Sequence, residues 1–258
     1  MEEQTLVGGL RAVELYYRSV RDISTGQTAF LQSQTRLNTP DMGVMMPESY
    51  RELCDYTNQC VALFGLELVQ ALETHNKFIS RDVDFRWLSV YMPVAFLKDE
   101  KAEKGILGYT ERYKIQTNRL CFELPEKLLD ETDGLAAENI KKLRNRGFHF
   151  MLTGFGASSC PMMRLSDFAV DYVLMSAEVT TYLGRDERSD NAVRSMITFA
   201  KEMGAEPVAD GVVNSRQAET LFEFDCNFCT GSLAGKYTQE RYIRRRGDDD
   251  DDGEQADT

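Results

Sequence analysis

The stretch Phe148-His149-Phe150-Met151-Leu152-Thr153-Gly154-Phe155-Gly156-Ala157-Ser158-Ser159 decides how the chain is read. Its apolar beginning is a buried strand, and it ends abruptly in a loop of small residues punctuated by glycine. In an α/β protein, the loop at the carboxyl end of such a strand is where a site is built. Here that loop carries no acidic side chain, so it offers no carboxylate to a metal. Just upstream, Ala136 to Arg146 has helical spacing through Ile140 and Leu143, with Gly147 as its stop.

The same grammar extends in both directions. Leu15 to Val20 reads as a strand, and Asp22-Ile23-Ser24-Thr25-Gly26 has the turn chemistry of a hairpin into Thr28 to Thr35. After Pro47, Leu53, Tyr56, Cys60, Leu63 and Phe64 keep helical spacing, which predicts one long helix toward His75. Strands are expected at Phe85 to Val90, Leu120 to Leu124, Asp171 to Met175, Glu206 to Ala209 and Asn227 to Cys229. Between them, Asp190 to Met203 and Ser215 to Phe224 read as helices, and Arg241 with Arg244 to Arg246 as a last basic helical turn. Strands separated by helices predict a parallel sheet with right-handed crossovers, and this many units suit a closed α/β barrel of the TIM type.

Composition narrows the function. The 258 residues are 42% hydrophobic, enough for one large domain with a substantial core. No run approaches the roughly 20 apolar residues of a membrane span, and the acidic start is unlike a signal peptide, so a cytoplasmic protein with no membrane partner is expected. The net charge of -12 is concentrated: without the seven acids of Asp248 to Asp252, Glu254 and Asp257, 35 acids face 30 bases. Residues 1–246 are read as the barrel domain and 247–258 as a disordered acidic tail. Nothing suggests a basic face for nucleic acid. Six scattered cysteines are read as reduced thiols, and Cys226-Asn227-Phe228-Cys229 lacks the second pair a zinc site needs.

With these elements in order, the chain resembles the EAL-domain family, modified TIM barrels that hydrolyse cyclic di-GMP with two divalent cations. The resemblance spans about Leu15 to Tyr237. Tyr16-Tyr17-Arg18-Ser19-Val20 is similar to the family's Tyr-Tyr-Gln-Pro-Ile strand, and Gln32-Ser33-Gln34-Thr35-Arg36 to Glu-Ala-Leu-Leu-Arg. The resemblance implies that Gln32 replaces a metal-binding Glu and that Tyr91, ending Leu88-Ser89-Val90-Tyr91, replaces a metal-binding Asn. Phe122-Glu123-Leu124-Pro125-Glu126 resembles Leu-Glu-Ile-Thr-Glu, so Glu123 survives as a ligand match. Thr153 and Gly154 stand for paired aspartates, Leu174 for the catalytic Lys, and Asp210 for an acid one methylene longer. In the same way Val213 replaces a second Glu, and Thr230-Gly231-Ser232 stands for Gln-Gly-Tyr. The family's Mg²⁺ or Mn²⁺ therefore has mostly lost its ligands, because two cations at a phosphodiester need several hard oxygen donors. No cofactor is expected.

Three functions follow as expectations. The first is a catalytically inactive, regulatory EAL-like module in cyclic di-GMP-related signalling that binds a protein partner, with pairing into a homodimer as one option. The second is a non-hydrolysing cyclic di-GMP receptor, in which Arg36 matches the signature Arg and clamps phosphate or stacks on a base, with Glu123 and Asp210 as further candidate ligand contacts. The third is an enzyme of changed chemistry with Glu123 and Asp210 as an acid/base pair and His149 as an added partner, although strand alternation makes His149 a packed residue. An active phosphodiesterase requires groups that Gln32, Tyr91, Thr153, Gly154 and Leu174 do not supply.

Overall fold

A computed structural model describes residues 6–7, 10–54, 57, 59–157 and 160–243. The hairpin read at Asp22 to Gly26 sets the architecture. Asp22 Oδ1 accepts hydrogen bonds from the backbone N–H of Ser24 and Thr25 at 3.0 and 3.2 Å, closing the turn between β1 (Val13–Asp22) and β2 (Thr28–Thr39). Strands β3 (Leu88–Tyr91), β4 (Leu120–Leu124), β5 (His149–Phe155), β6 (Tyr172–Met175), β7 (Glu206–Ala209) and β8 (Phe228–Cys229) follow. From β2 to β8 every neighbour pair is parallel, while β1 is antiparallel to both β2 and β8 and so closes the ring. The result is a modified (β/α)8 barrel with one reversed strand, as the resemblance implies. Because β1 is reversed, its early residues lie at the mouth formed by the carboxyl ends of the other strands.

The outer layer comprises helices α1 (Pro47–Cys54), α2 (Gln59–Ser80), α3 (Val94–Leu97), α4 (Ala102–Tyr113), α5 (Leu135–Asn145), α6 (Ala177–Thr180), α7 (Glu187–Glu202) and α8 (Ser215–Glu223). The single long helix expected after Pro47 is two helices, because the Thr57 hydroxyl and backbone N–H both bond to the Cys54 carbonyl, at 2.9 and 2.8 Å, and end α1 there. Tyr56 lies outside the described residues. The expected strand at Phe85 begins later, at Leu88. Instead of a basic helical turn, Glu240–Tyr242 is a 3-10 turn, reached from Thr238–Gln239, which pair with Tyr17 and Tyr16 of β1. Arg244 to Arg246 and the acidic tail lie outside the described residues.

Alternation divides the core into two. Leu31, Phe122, Phe150, Leu152, Val173 and Met175 face outward into the layer between barrel and helices. Val20, Phe30, Trp87, Cys121, Met151, Leu174, Val208 and Phe228 fill the barrel interior. The Phe30 and Trp87 rings stack there at 4.0 Å, 7° from parallel. The apolar filling leaves the inward positions one step nearer the mouth as the place where polar side chains meet. Among the described residues, no helix is long and apolar enough to cross a membrane.

Candidate functional site

At the mouth, the side chain of Arg18 reaches across the seam of the barrel. It pairs with Gln32 in the β1–β2 register, and its Nε donates to Gln32 Oε1 at 2.8 Å. Its two terminal nitrogens donate in parallel to Asp210 Oδ1 and Oδ2, both at 3.1 Å, just beyond β7. The guanidinium also lies over the Tyr237 ring, 4.6 Å from its centroid. Only 11% of the Arg18 side chain is exposed, against 25% for Asp210, so this is a fork-to-carboxylate pair largely removed from solvent. Burial opposes the Arg18 charge, but Tyr237 and Asp210 more than offset it and the pKa moves upward. Asp210 Oδ1 is held further by the Gly211 N–H at 2.7 Å.

Glu123, on β4, is buried beside this pair. Ser89 donates its hydroxyl to Glu123 Oε1, and Ser33 holds Ser89 through its backbone carbonyl at 2.7 Å. Burial pushes the Glu123 carboxyl up, against the opposing pull of the Ser89 and Gln32 hydrogen bonds and the fields of Arg18 and Arg51. Tyr91 is the register partner of Glu123 on β3, and its ring lies under the Arg51 guanidinium at 3.9 Å. Arg51 descends from α1, and its Nη2 donates to Glu67 Oε1 of α2 at 2.5 Å and to Thr35 Oγ1 at 3.2 Å. Glu67 is fully buried. The mouth thus joins β1, β2, β3, β4, β7, α1 and α2 through two arginines.

The other candidate positions are spent on structure. Thr153 donates its hydroxyl to the Leu124 carbonyl at 3.0 Å. Gly154 sits at φ +74°, where an added Cβ would meet Glu126 Oε2 at 2.8 Å. Leu174 belongs to the apolar interior with Val20, Trp87 and Met151. Arg36 lies on the Tyr16 ring, 3.5 Å from its centroid, with its Nε buried and lacking a hydrogen-bond partner. His149 is at the opposite end of β5, against Trp87 and Tyr172 on the barrel floor, so it cannot assist Glu123 or Asp210. Cys226 and Cys229 are buried thiols, pushed up to about 12 and about 11 by burial.

This arrangement does not fit a pair of divalent cations. Mg²⁺ and Mn²⁺ take hard oxygen ligands in close, regular geometry. Both oxygens of Asp210 face a guanidinium instead, and Gln32 offers only a neutral oxygen to the same guanidinium. Among the described residues, no group of three or more His, Cys, Asp or Glu side chains converges as a metal-holding set.

Sequence reasoning missed the residues that organise the mouth. Arg18 was visible as a charged residue in an otherwise inward-facing strand position where the resemblance has Gln, and that substitution was the available signal. Ser89, Arg51, Glu67 and Tyr237 gave none, since a neighbouring strand, two helices and a carboxyl-terminal segment bring them together from distant parts of the chain.

The architecture has close structural counterparts. The cAMP- and cyclic di-GMP-bound structure of EAL enzyme Bd1971 superposes with a TM-score of 0.82 at 17% identity, covering 90% of this chain and 64% of that one. The FimX EAL domain of Pseudomonas aeruginosa bound to cyclic di-GMP gives 0.74 at 14% identity, covering 88% and 91%. Among curated proteins, cyclic di-GMP phosphodiesterase RocR of Pseudomonas aeruginosa is 22% identical over 230 residues, spanning 89% of this chain and 58% of RocR. Cyclic di-GMP phosphodiesterase PdeR of Escherichia coli is 19% identical over 211 residues, 82% of this chain and 32% of PdeR. The chain therefore spans little more than half, or less, of these curated relatives. The EAL domain model matches residues 5–237, nearly the whole barrel with its reversed first strand, and the chain belongs to the EAL-domain family.

Proposed function

We propose that this chain is a non-hydrolysing EAL domain that acts as a regulatory protein-interaction module in cyclic di-GMP-linked signalling. The observation that carries non-hydrolysis is the Arg18 guanidinium held by both oxygens of Asp210 and by Gln32. Two-metal hydrolysis needs that volume for cations and their water, and it needs a proton-handling group where Leu174 presents only methyls. A mouth filled by its own side chains leaves the helical exterior as the working surface. In the test, the protein is incubated with cyclic di-GMP and Mg²⁺ or Mn²⁺ and the products are chromatographed. The cyclic dinucleotide is expected to persist, and linear dinucleotide formed in proportion to enzyme overturns the reading.

One observation favours a second reading, a metal-independent cyclic di-GMP receptor. Arg36 lies on Tyr16 with a buried Nε that has no partner, a donor suited to a phosphate oxygen or guanine edge. Titration calorimetry with cyclic di-GMP, run with Mg²⁺ and then with chelator, separates the two. Saturable heat in both that is lost in Arg36→Ala supports the receptor, whereas silence in both leaves the interaction module.

A further inference from the structure

We propose that Arg18 is a built-in cation that occupies the divalent-ion position at the barrel mouth, excluding Mg²⁺ and Mn²⁺ by charge and volume. This inference rests on the non-hydrolytic reading but adds a cause that the loss of ligands does not require. Two oxygen donors hold the guanidinium, the amide of Gln32 and the carboxylate of Asp210, and the buried carboxyl of Glu123 adds its field to theirs. Such a cluster would ordinarily attract a hard cation. Here the attraction is satisfied from within the chain. The guanidinium nitrogens reach Gln32 and Asp210 at ordinary hydrogen-bond distances, and the Tyr237 ring covers the outer face of the group.

The reversed strand makes this possible. An inward residue of β1 projects from its own strand into the ring where the neighbouring strands end, and Arg18 and Gln32 face each other as direct register partners. A lysine would bring charge but only a point donor; the planar fork meets both Asp210 oxygens while its Nε meets Gln32. Arg51, over the Tyr91 ring, adds positive potential at Glu123. Adding a divalent ion to this set would place it against the Arg18 guanidinium, in a mouth that also feels the charge of Arg51.

Thermal unfolding of the full chain, in chelator and in about 5 mM Mn²⁺, tests the proposal. The unmodified protein is expected to unfold at the same temperature in both. Arg18→Gln removes the charge, keeps a polar side chain and leaves Gln32 and Asp210 facing a vacated volume near Glu123. It is expected to lose stability in chelator and to regain about 5 °C with Mn²⁺. Its apparent Mn²⁺ affinity by titration should exceed that of the unmodified protein by more than tenfold. Arg18→Lys, which keeps the charge, is expected to remain insensitive to Mn²⁺.

A Mn²⁺-dependent rise in the unmodified protein overturns the proposal, as does an Arg18→Gln protein that ignores Mn²⁺. If Arg18→Gln does not fold, Arg18→Gln with Asp210→Asn replaces it. That pair should recover the fold, because the acid that needs the cation is gone, and failure to recover overturns the proposal. Cyclic di-GMP turnover is scored separately, so an inert Arg18→Gln protein without turnover sinks this inference while leaving the non-hydrolytic reading standing.

Discussion

Replacing Arg51 with Met removes the cation that compensates a fully buried carboxylate. Glu67 is 0% exposed, and its Oε1 accepts from Arg51 at 2.5 Å and from Thr35 at 2.5 Å. Breaking one side of a buried ion pair costs about 3–5 kcal/mol, because a charge is left in a poorly polarisable interior. Protonation of the stranded carboxyl limits the loss to the lower part of that range. The Arg51→Met protein should therefore be about 3–4 kcal/mol less stable at pH 7, a fall of roughly 6–16 °C for a domain of this size. The sign with pH follows. In the variant the folded-state pKa of Glu67 lies above its unfolded value, so the folded state binds more protons and the deficit shrinks as pH falls toward about 5. Replacing both residues with apolar ones, as in Arg51→Met with Glu67→Leu, should recover most of the loss. Urea unfolding at pH 5 and pH 7.5 measures each quantity through a change in midpoint at constant slope. A single variant within about 1 kcal/mol of the unmodified protein, or a double variant as unstable as the single, refutes the buried-charge account of this contact.

His75 on α2 packs edge-on to Phe85 at 5.4 Å, and burial, aided by Arg119, lowers its pKa to about 4. The unfolded chain then binds the extra proton first, so stability is present above about pH 6.5 and falls by up to about 3 kcal/mol toward pH 4; His75→Phe should flatten that slope, and an unchanged slope refutes it. Leu174→Lys, which restores the lysine of the family resemblance, buries an amine among Val20, Trp87 and Met151 and should cost more than about 2 kcal/mol without producing cyclic di-GMP turnover; measurable hydrolysis contradicts the prediction. Restoring acids with Gln32→Glu, Thr153→Asp and Gly154→Asp should give weak metal binding at best, because Gly154 is left-handed and its new Cβ meets Glu126 Oε2 at 2.8 Å. Strain of about 1–2 kcal/mol at that position should appear in Gly154→Ala alone, and a protein as stable as the original shows the loop relaxes.

Much of the architecture was legible because strand alternation and helix spacing are local. Glu206–Ala209, Leu120–Leu124 and the hairpin of β1 with β2 follow from residues next to one another in the chain. The break between α1 and α2 was not legible, since apolar spacing continues across it while a threonine hydroxyl ends the first helix. That Gln32, Tyr91, Thr153, Gly154 and Leu174 carry no carboxylate or amine is legible in the residues themselves, while their standing as ligand positions is what the family resemblance implies. Glu123 and Asp210, the acids that remain, were named from the sequence, but their partners were not.

Sequence alone determined an alternating α/β chain, its strand phases and which side chains at the strand ends are acidic, because these depend on residue type and short-range period. Tertiary structure decided what fills the mouth. The reversed β1 carries Arg18 to Asp210, 192 positions away in the chain, and α1 lowers Arg51 onto Tyr91. Neither pairing leaves a trace in local spacing, since each is fixed by barrel closure and by the stabilisation gained when a buried acid meets a guanidinium.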